Sequence, residues 1–232
     1  MKATRLAIGV TVMCAALAES LPAQAVTGSS AQAAAVLHQA GNITDKLQDD
    51  IAAGRWDAAQ KKLFAFQRMV PTLDSLEQVA EAGGRFNHRD EGPEFPVFID
   101  SLANRLEDQR RLPALTSANA VGRALLPLVA AFSTPAQLAV AHLDVAARDL
   151  RYTAEQGSWA AARSALREIR ETYAAVQPQL VQHAPNLNAT IERRLADLAG
   201  ALQSHLHVRA RALAGEFLED VDLIQSTFTD DH

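Results

Sequence analysis

The side chains with chemistry to offer are spread thinly over 232 residues: 7 histidines, 27 carboxylates and one cysteine. In "NHRDE", His88 stands three residues before Glu91, with Asp90 between them. On a helical turn the two would share a face. An imidazole and a carboxylate so placed can hold a borderline or hard cation, a divalent or ferric metal ion. The plainer reading is a solvated polar loop. His38 and His142 lie 18 and 17 residues before Trp56 and Trp159. Facing each other in a bundle, they could bind metal or haem; at a helix seam they would simply hydrogen-bond. His205 and His207 are two apart, so on one helix they point about 200° apart and cannot chelate from one face. Asp230, Asp231 and His232 read as a frayed acidic tail. The sequence has no Gly-rich phosphate loop, nucleophile elbow or H-E-x-x-H pair. No enzyme class is selected, and the expected role is binding without catalysis.

The elements that must position these groups are helices. Strong helix formers dominate, and β-branched alternation is absent. Apolar spacing predicts a first helix over 30–53, with Val36, Ile43, Leu47 and Ile51 on one stripe. Gly54 stops it. A second runs over 56–82 and carries Ala59, Leu63, Phe66 and Leu73 inward, with a kink at Pro71. Residues 83–96, "GGRFNHRDEGPEFP", form the clearest loop, with glycines and prolines throughout. A third helix spans 97–109. A fourth, over 115–132, is short and apolar, and Pro127 bends it.

The plan then restarts. Ser133 or Thr134 caps a helix that has Pro135 in its first turn and runs to about residue 156. Gly157 ends it, and Trp159 opens the next, with Leu166, Ile169, Tyr173 and Val176 inward and Pro178 inside. "APNLNAT" reads as a loop with Asn186 or Asn188 as cap. A last helix covers 191–228, with a break near Gly200 or Gly215. "GRWDAAQKKL" and "GSWAAARSAL" thus recur 103 residues apart as corners of two helical hairpins. Each tryptophan is expected to pack over its corner, and the alanine three residues on lets the helices approach. The predicted fold is all-α: one or two up-and-down bundles built from similar halves, 26–132 and 133–232.

Residues 1–25 read as a signal peptide. Lys2 and Arg5 make a positive start, 6–18 are apolar, and Ala23-Gln24-Ala25 supplies a cleavage site. Glu19 cuts the apolar run short of the roughly 20 residues a bilayer requires. Cleavage would remove 25 of the 232 residues, leaving 207, and take the net charge from −5 to −6. It would also remove Cys14, so no disulfide or thiolate chemistry is expected in the mature chain. The expected compartment is the bacterial periplasm or the exterior, with no membrane span after cleavage. Mild acidity argues against nucleic acid as a partner, since phosphate binding needs a clustered basic face. A protein or a small ligand is left as partner.

The run "IAAGRWDAAQKKL…PTLDSL" followed by "HRDE" resembles the helical region of imelysin-like periplasmic proteins, which are linked to bacterial iron uptake. The likeness covers about residues 48–91, with a fainter echo in the second half. It implies an all-α two-bundle fold and a G-x-H-x-x-E motif whose His and Glu are metal ligands. His88 and Glu91 match the H-x-x-E part. Phe86 stands where the motif has glycine.

Overall fold

A computed structural model describes residues 30–85 and 95–229 of the protein. Among them every regular element is a helix, and the protein is an all-α helical bundle. The helices are α1 (Ser30–Ala52), α2 (Trp56–Gln67), α3 (Val70–Ala82), α4 (Phe95–Glu107), α5 (Arg111–Phe132), α6 (Pro135–Glu155), α7 (Trp159–His183), α8 (Pro185–Gln203) and α9 (His207–Thr229).

They form two four-cornered bundles. In the first, α1 packs on α2 and α5, and α4 packs on α5 and α2. In the second, α6 packs on α7 and α9, and α8 packs on α9 and α7. The α5–α6 contact joins them. The second core is built by Leu143, Leu150, Ile169, Leu198 and Phe217, among others. The first gathers Ile51, Phe66, Leu73, Leu102 and Leu128, and it also takes in Tyr152 from α6. That ring crosses from one bundle into the core of the other.

The turns follow one design. Gly54 and Gly157 adopt φ +71° and +73°. At each, the next amide reaches five residues back: Arg55 N–H to the Asp50 carbonyl at 2.8 Å, and Ser158 N–H to the Thr153 carbonyl at 2.8 Å. This is the left-handed helix end that satisfies carbonyls the helix leaves free. The α4–α5 and α8–α9 turns repeat it without glycine, at Gln109 and His205, both at φ +53°. Thr134 caps α6 in a full capping box with Gln137, and Pro135 sits in the first turn.

Several expectations change. The 56–82 helix is two helices, because Pro71 lies in the first turn of α3 and the chain re-starts there after Gln67. Pro178, by contrast, stays inside α7, and Pro127 inside α5. In the register of the tryptophans the two prolines are not equivalent: Pro71 follows Trp56 by 15 residues and Pro178 follows Trp159 by 19, about one turn later. "APNLNAT" is no loop. Pro185 opens α8 in its first turn, and Asn188 accepts a hydrogen bond from the Tyr173 hydroxyl at 2.5 Å. The last helix breaks at 204–206, between the expected glycines, which both remain helical. A glycine inside a helix costs about 1 kcal/mol, and packing against neighbouring helices readily offsets it. The fourth helix is longer than expected. At 22 residues, α5 is by length and composition alone long and apolar enough to cross a membrane. Here Leu115, Ala118, Val121 and Leu128 bury it in the first core.

Candidate functional site

His88 and Glu91 lie outside the described residues, as do Met1–Ala25, Asp230, Asp231 and His232. The remaining histidines are placed, and His38 and His142 do not meet as a pair. His38 is exposed on α1, its Nδ1 3.1 Å from the Asn42 amide nitrogen. His142 is half-buried on α6. Burial lowers its pKa, and Glu168 and Arg123 act on it in opposite directions. His205 and His207 come together around an indole. The Trp159 ring has His205 stacked 4.9 Å away and His207 tilted at 4.4 Å. His207 Nδ1 lies 3.1 Å from the Ala154 carbonyl, which pins the start of α9 to the end of α6.

An opening with both polar and apolar lining lies on the seam between the bundles, and His38 is part of its wall. A cavity of about 290 Å³ opens between α1, α5, α6 and α9. Ligand pockets begin at roughly this size. Towards one end, Leu37, Leu126, Val129, Val140 and Phe228 stand with the polar His38, Ser133, Gln137 and Gln225. Towards the other, more polar end, Asp45, Gln48, Asn119, Asp144 and Asp222 stand with Val145 and Val221.

The polar groups arrive from four helices. Arg148 of α6 holds Asp144 of its own helix through Nε at 2.9 Å, and reaches Asp45 of α1 through Nη2 at 3.1 Å. The Tyr152 hydroxyl donates to Gln48 Oε1 of α1 at 2.8 Å. Asp222 comes from α9 and stands at the exposed rim. Three carboxylates thus share the polar end with one guanidinium. Burial pushes the Asp45 carboxyl up to about 7, with Asp144, Asp49 and Asp222 adding to the effect and Arg148 opposing it. Asp222 is also raised, first by burial and then by Asp144.

Asn119 completes the polar end and is 1 % exposed. Its Nδ2 donates to the Val145 carbonyl at 3.0 Å and to Asp149 Oδ1 at 2.6 Å. Both partners are acceptors, so the nitrogen must be the atom facing them. The amide oxygen is then left over: Oδ1 is buried and has no hydrogen-bond partner. A buried acceptor without a donor costs about 1–3 kcal/mol.

Among the described residues, no group of three or more His, Cys, Asp or Glu side chains is arranged to hold a metal ion. No protein-family model matches the chain, and neither do curated proteins or solved structures.

Sequence reasoning missed this cavity. The signal was the polar residues lying on otherwise apolar stripes. Thr44 and Gln48 fall among Ala40, Leu47 and Ile51, and Asn119 falls between Leu115 and Val121; all three are buried. Such residues disclose a polar seam, but not which helices meet there.

Proposed function

We propose that this protein is a binding module, without catalysis of its own, that takes a small ligand into the cavity between its two bundles. The observation that carries the reading is the open cavity itself, walled by α1, α5, α6 and α9 and lined by both polar and apolar side chains. The site is also built where ligand sites often form, between the helices of adjoining bundles. The reading includes export to the periplasm or beyond, supported by the charged start, apolar run and Ala-Gln-Ala of residues 1–25.

A blocking variant tests the site. A Cβ on Gly41, which lines the cavity, would meet nothing within 4 Å. Gly41→Phe therefore starts without a Cβ clash and adds a ring at the cavity wall. The parent and the variant are screened by thermal shift against small amphiphiles with cationic, anionic and neutral heads. The expected result is that one class raises the melting temperature of the parent and leaves Gly41→Phe unmoved. Equal shifts in both proteins, or none in the parent, would overturn the cavity as a binding site.

A further inference from the structure

We propose a second binding surface: a groove between α7 and α8 that docks an acidic amphipathic helix of a partner protein. The groove is open, about 520 Å³ in volume, and shares no lining residue with the seam cavity. Arg163, Arg167 and Arg170 of α7 line it, and no aspartate or glutamate does. Elsewhere arginines tie helices together by holding carboxylates, as Arg111 holds Glu155, Arg148 holds Asp45 and Arg194 holds Glu216. The three arginines of the groove have no ion pair among the described residues. Arg167 Nη2 donates to the Ser164 hydroxyl at 2.9 Å and Arg170 Nη2 to the Leu195 carbonyl at 3.2 Å, and both acceptors are neutral. Glu168, next to Arg167 in the chain, is held by Arg123 of α5, and Glu171 lines no part of the groove. Three guanidinium charges thus stand together without a counter-charge in the groove, in a chain whose carboxylates outnumber its cations by 27 to 22.

Spacing and lining together favour a helix as the occupant. The arginines stand at i, i+4 and i+7, on one face of α7 and about 10 Å from first to last. Leu166 and Leu202, both buried, floor the groove together with Ala199 of α8. Guanidinium groups bind carboxylates in bidentate pairs. A single small anion would engage one arginine and leave the floor bare. A helix with acidic residues at the same spacing meets all three, and an apolar side chain between them covers the leucines. An anionic bilayer meets the arginine heads but, being flat, leaves the floor uncovered. Nucleic acid brings the charge without the apolar face.

Calorimetry on the full chain tests this with a synthetic helical peptide of about 14 residues. It carries glutamate at i, i+4 and i+7 with leucines beside them, and its control has glutamine in place of glutamate. The glutamate peptide is expected to bind about tenfold more tightly than the control, and added salt should weaken it. Arg163 and Arg167 are exposed, so replacing both by glutamine should leave the fold intact and weaken the glutamate peptide about tenfold. Gln203 lines the groove from the α8 side and is exposed. Gln203→Glu should weaken the peptide and Gln203→Lys should strengthen it, an opposition of sign that damage to α7 would not produce. Gly41→Phe, in the other cavity, should leave peptide binding unchanged. Equal binding of the two peptides, no binding of either, or no loss in the double arginine variant would overturn the groove as a docking site. If vesicles of anionic lipid or a thymidine oligonucleotide bind through Arg163 and Arg167 while the peptide stays silent, the partner class is wrong.

Discussion

At the first corner, Gly54 turns left-handed, and the buried carboxylate of Asp50 holds the turn. It accepts from Arg55 Nε at 2.7 Å and from Lys62 Nζ at 2.5 Å, across to α2. At the second corner, Gly157 turns in the same way, but Thr153 stands in place of Asp50, and Ser158 and Ala165 in place of the two cations. There the fastening is aromatic: Trp159 lies against His205 and His207, which come from the α8–α9 turn. One backbone solution thus carries two different side-chain locks. The first is local, joining residues within one hairpin. The second closes a loop of about fifty residues and ties α9 to α6. Both tryptophans are half-buried against their own cores, less than a ring covering the corner completely would be.

The sharpest way to separate the corners is to remove their rings. Complete burial of an aromatic is worth about 3–5 kcal/mol on truncation, and a half-buried one about half that. Trp159→Ala should cost about 3 kcal/mol, because it also loses two imidazole contacts worth about 1 kcal/mol together. Trp56→Ala should cost about 2 kcal/mol. Denaturant unfolding of both variants checks the order, and a larger loss at Trp56 would break the comparison.

Smaller effects are expected from the glycines. An alanine at Gly54 or Gly157 must adopt a positive φ, at about 1–2 kcal/mol. At Gly54 the new Cβ meets nothing within 4 Å. At Gly157 it would lie 2.9 Å from His207 Cε1 and push the imidazole off Trp159. Gly157→Ala should therefore destabilise by about 2 kcal/mol and Gly54→Ala by about 1 kcal/mol. Only the former should change tryptophan fluorescence below the transition. Equal stability losses with unchanged fluorescence would mean that the histidines do not lock the second corner.

The smallest effects concern pH, and they separate the first corner from the seam by sign. The hydrogen bond from Lys62 and the nearby Arg55 hold the Asp50 carboxyl below its usual 3.8, against the effect of burial. The unfolded chain then binds that proton more readily than the folded one. The stabilisation is present above pH 3.8 and is lost as pH falls through the depressed folded value. Asp50→Asn should melt below the parent at pH 7, and the gap should close in acid. Asp45 is the reverse. Its folded value near 7 lies above 3.8, so the folded chain retains a proton that the unfolded chain has released. Stability falls as pH rises between the two values. Asp45→Asn should therefore melt above the parent at pH 8, with the advantage fading as pH drops towards 3.8. The gain should be modest, because the Asp45 side chain keeps 44 % exposure and water screens it. Melting curves from pH 3 to 8 check both, and gaps of the same sign would contradict the assignment.

The helices, the two glycine turns, the Thr134 cap and the all-α class were legible in the sequence because each depends on residues within a turn or two of one another. The repeated Gly-x-Trp phrase was legible for the same reason: a left-handed turn needs glycine at that place whatever lies beyond it. Other features needed the tertiary structure. Whether a proline breaks a helix, as at Pro71, or is carried through, as at Pro178, was settled by what the rest of the helix packs against. The α8–α9 turn fell at His205 rather than at a glycine, where Trp159 from a distant helix meets the imidazole. The cavity is the extreme case. Asp45, Asn119, Asp144 and Asp222 come from four helices spread over some 180 residues. No local periodicity relates them, because their closeness is a property of how two bundles meet rather than of any one helix.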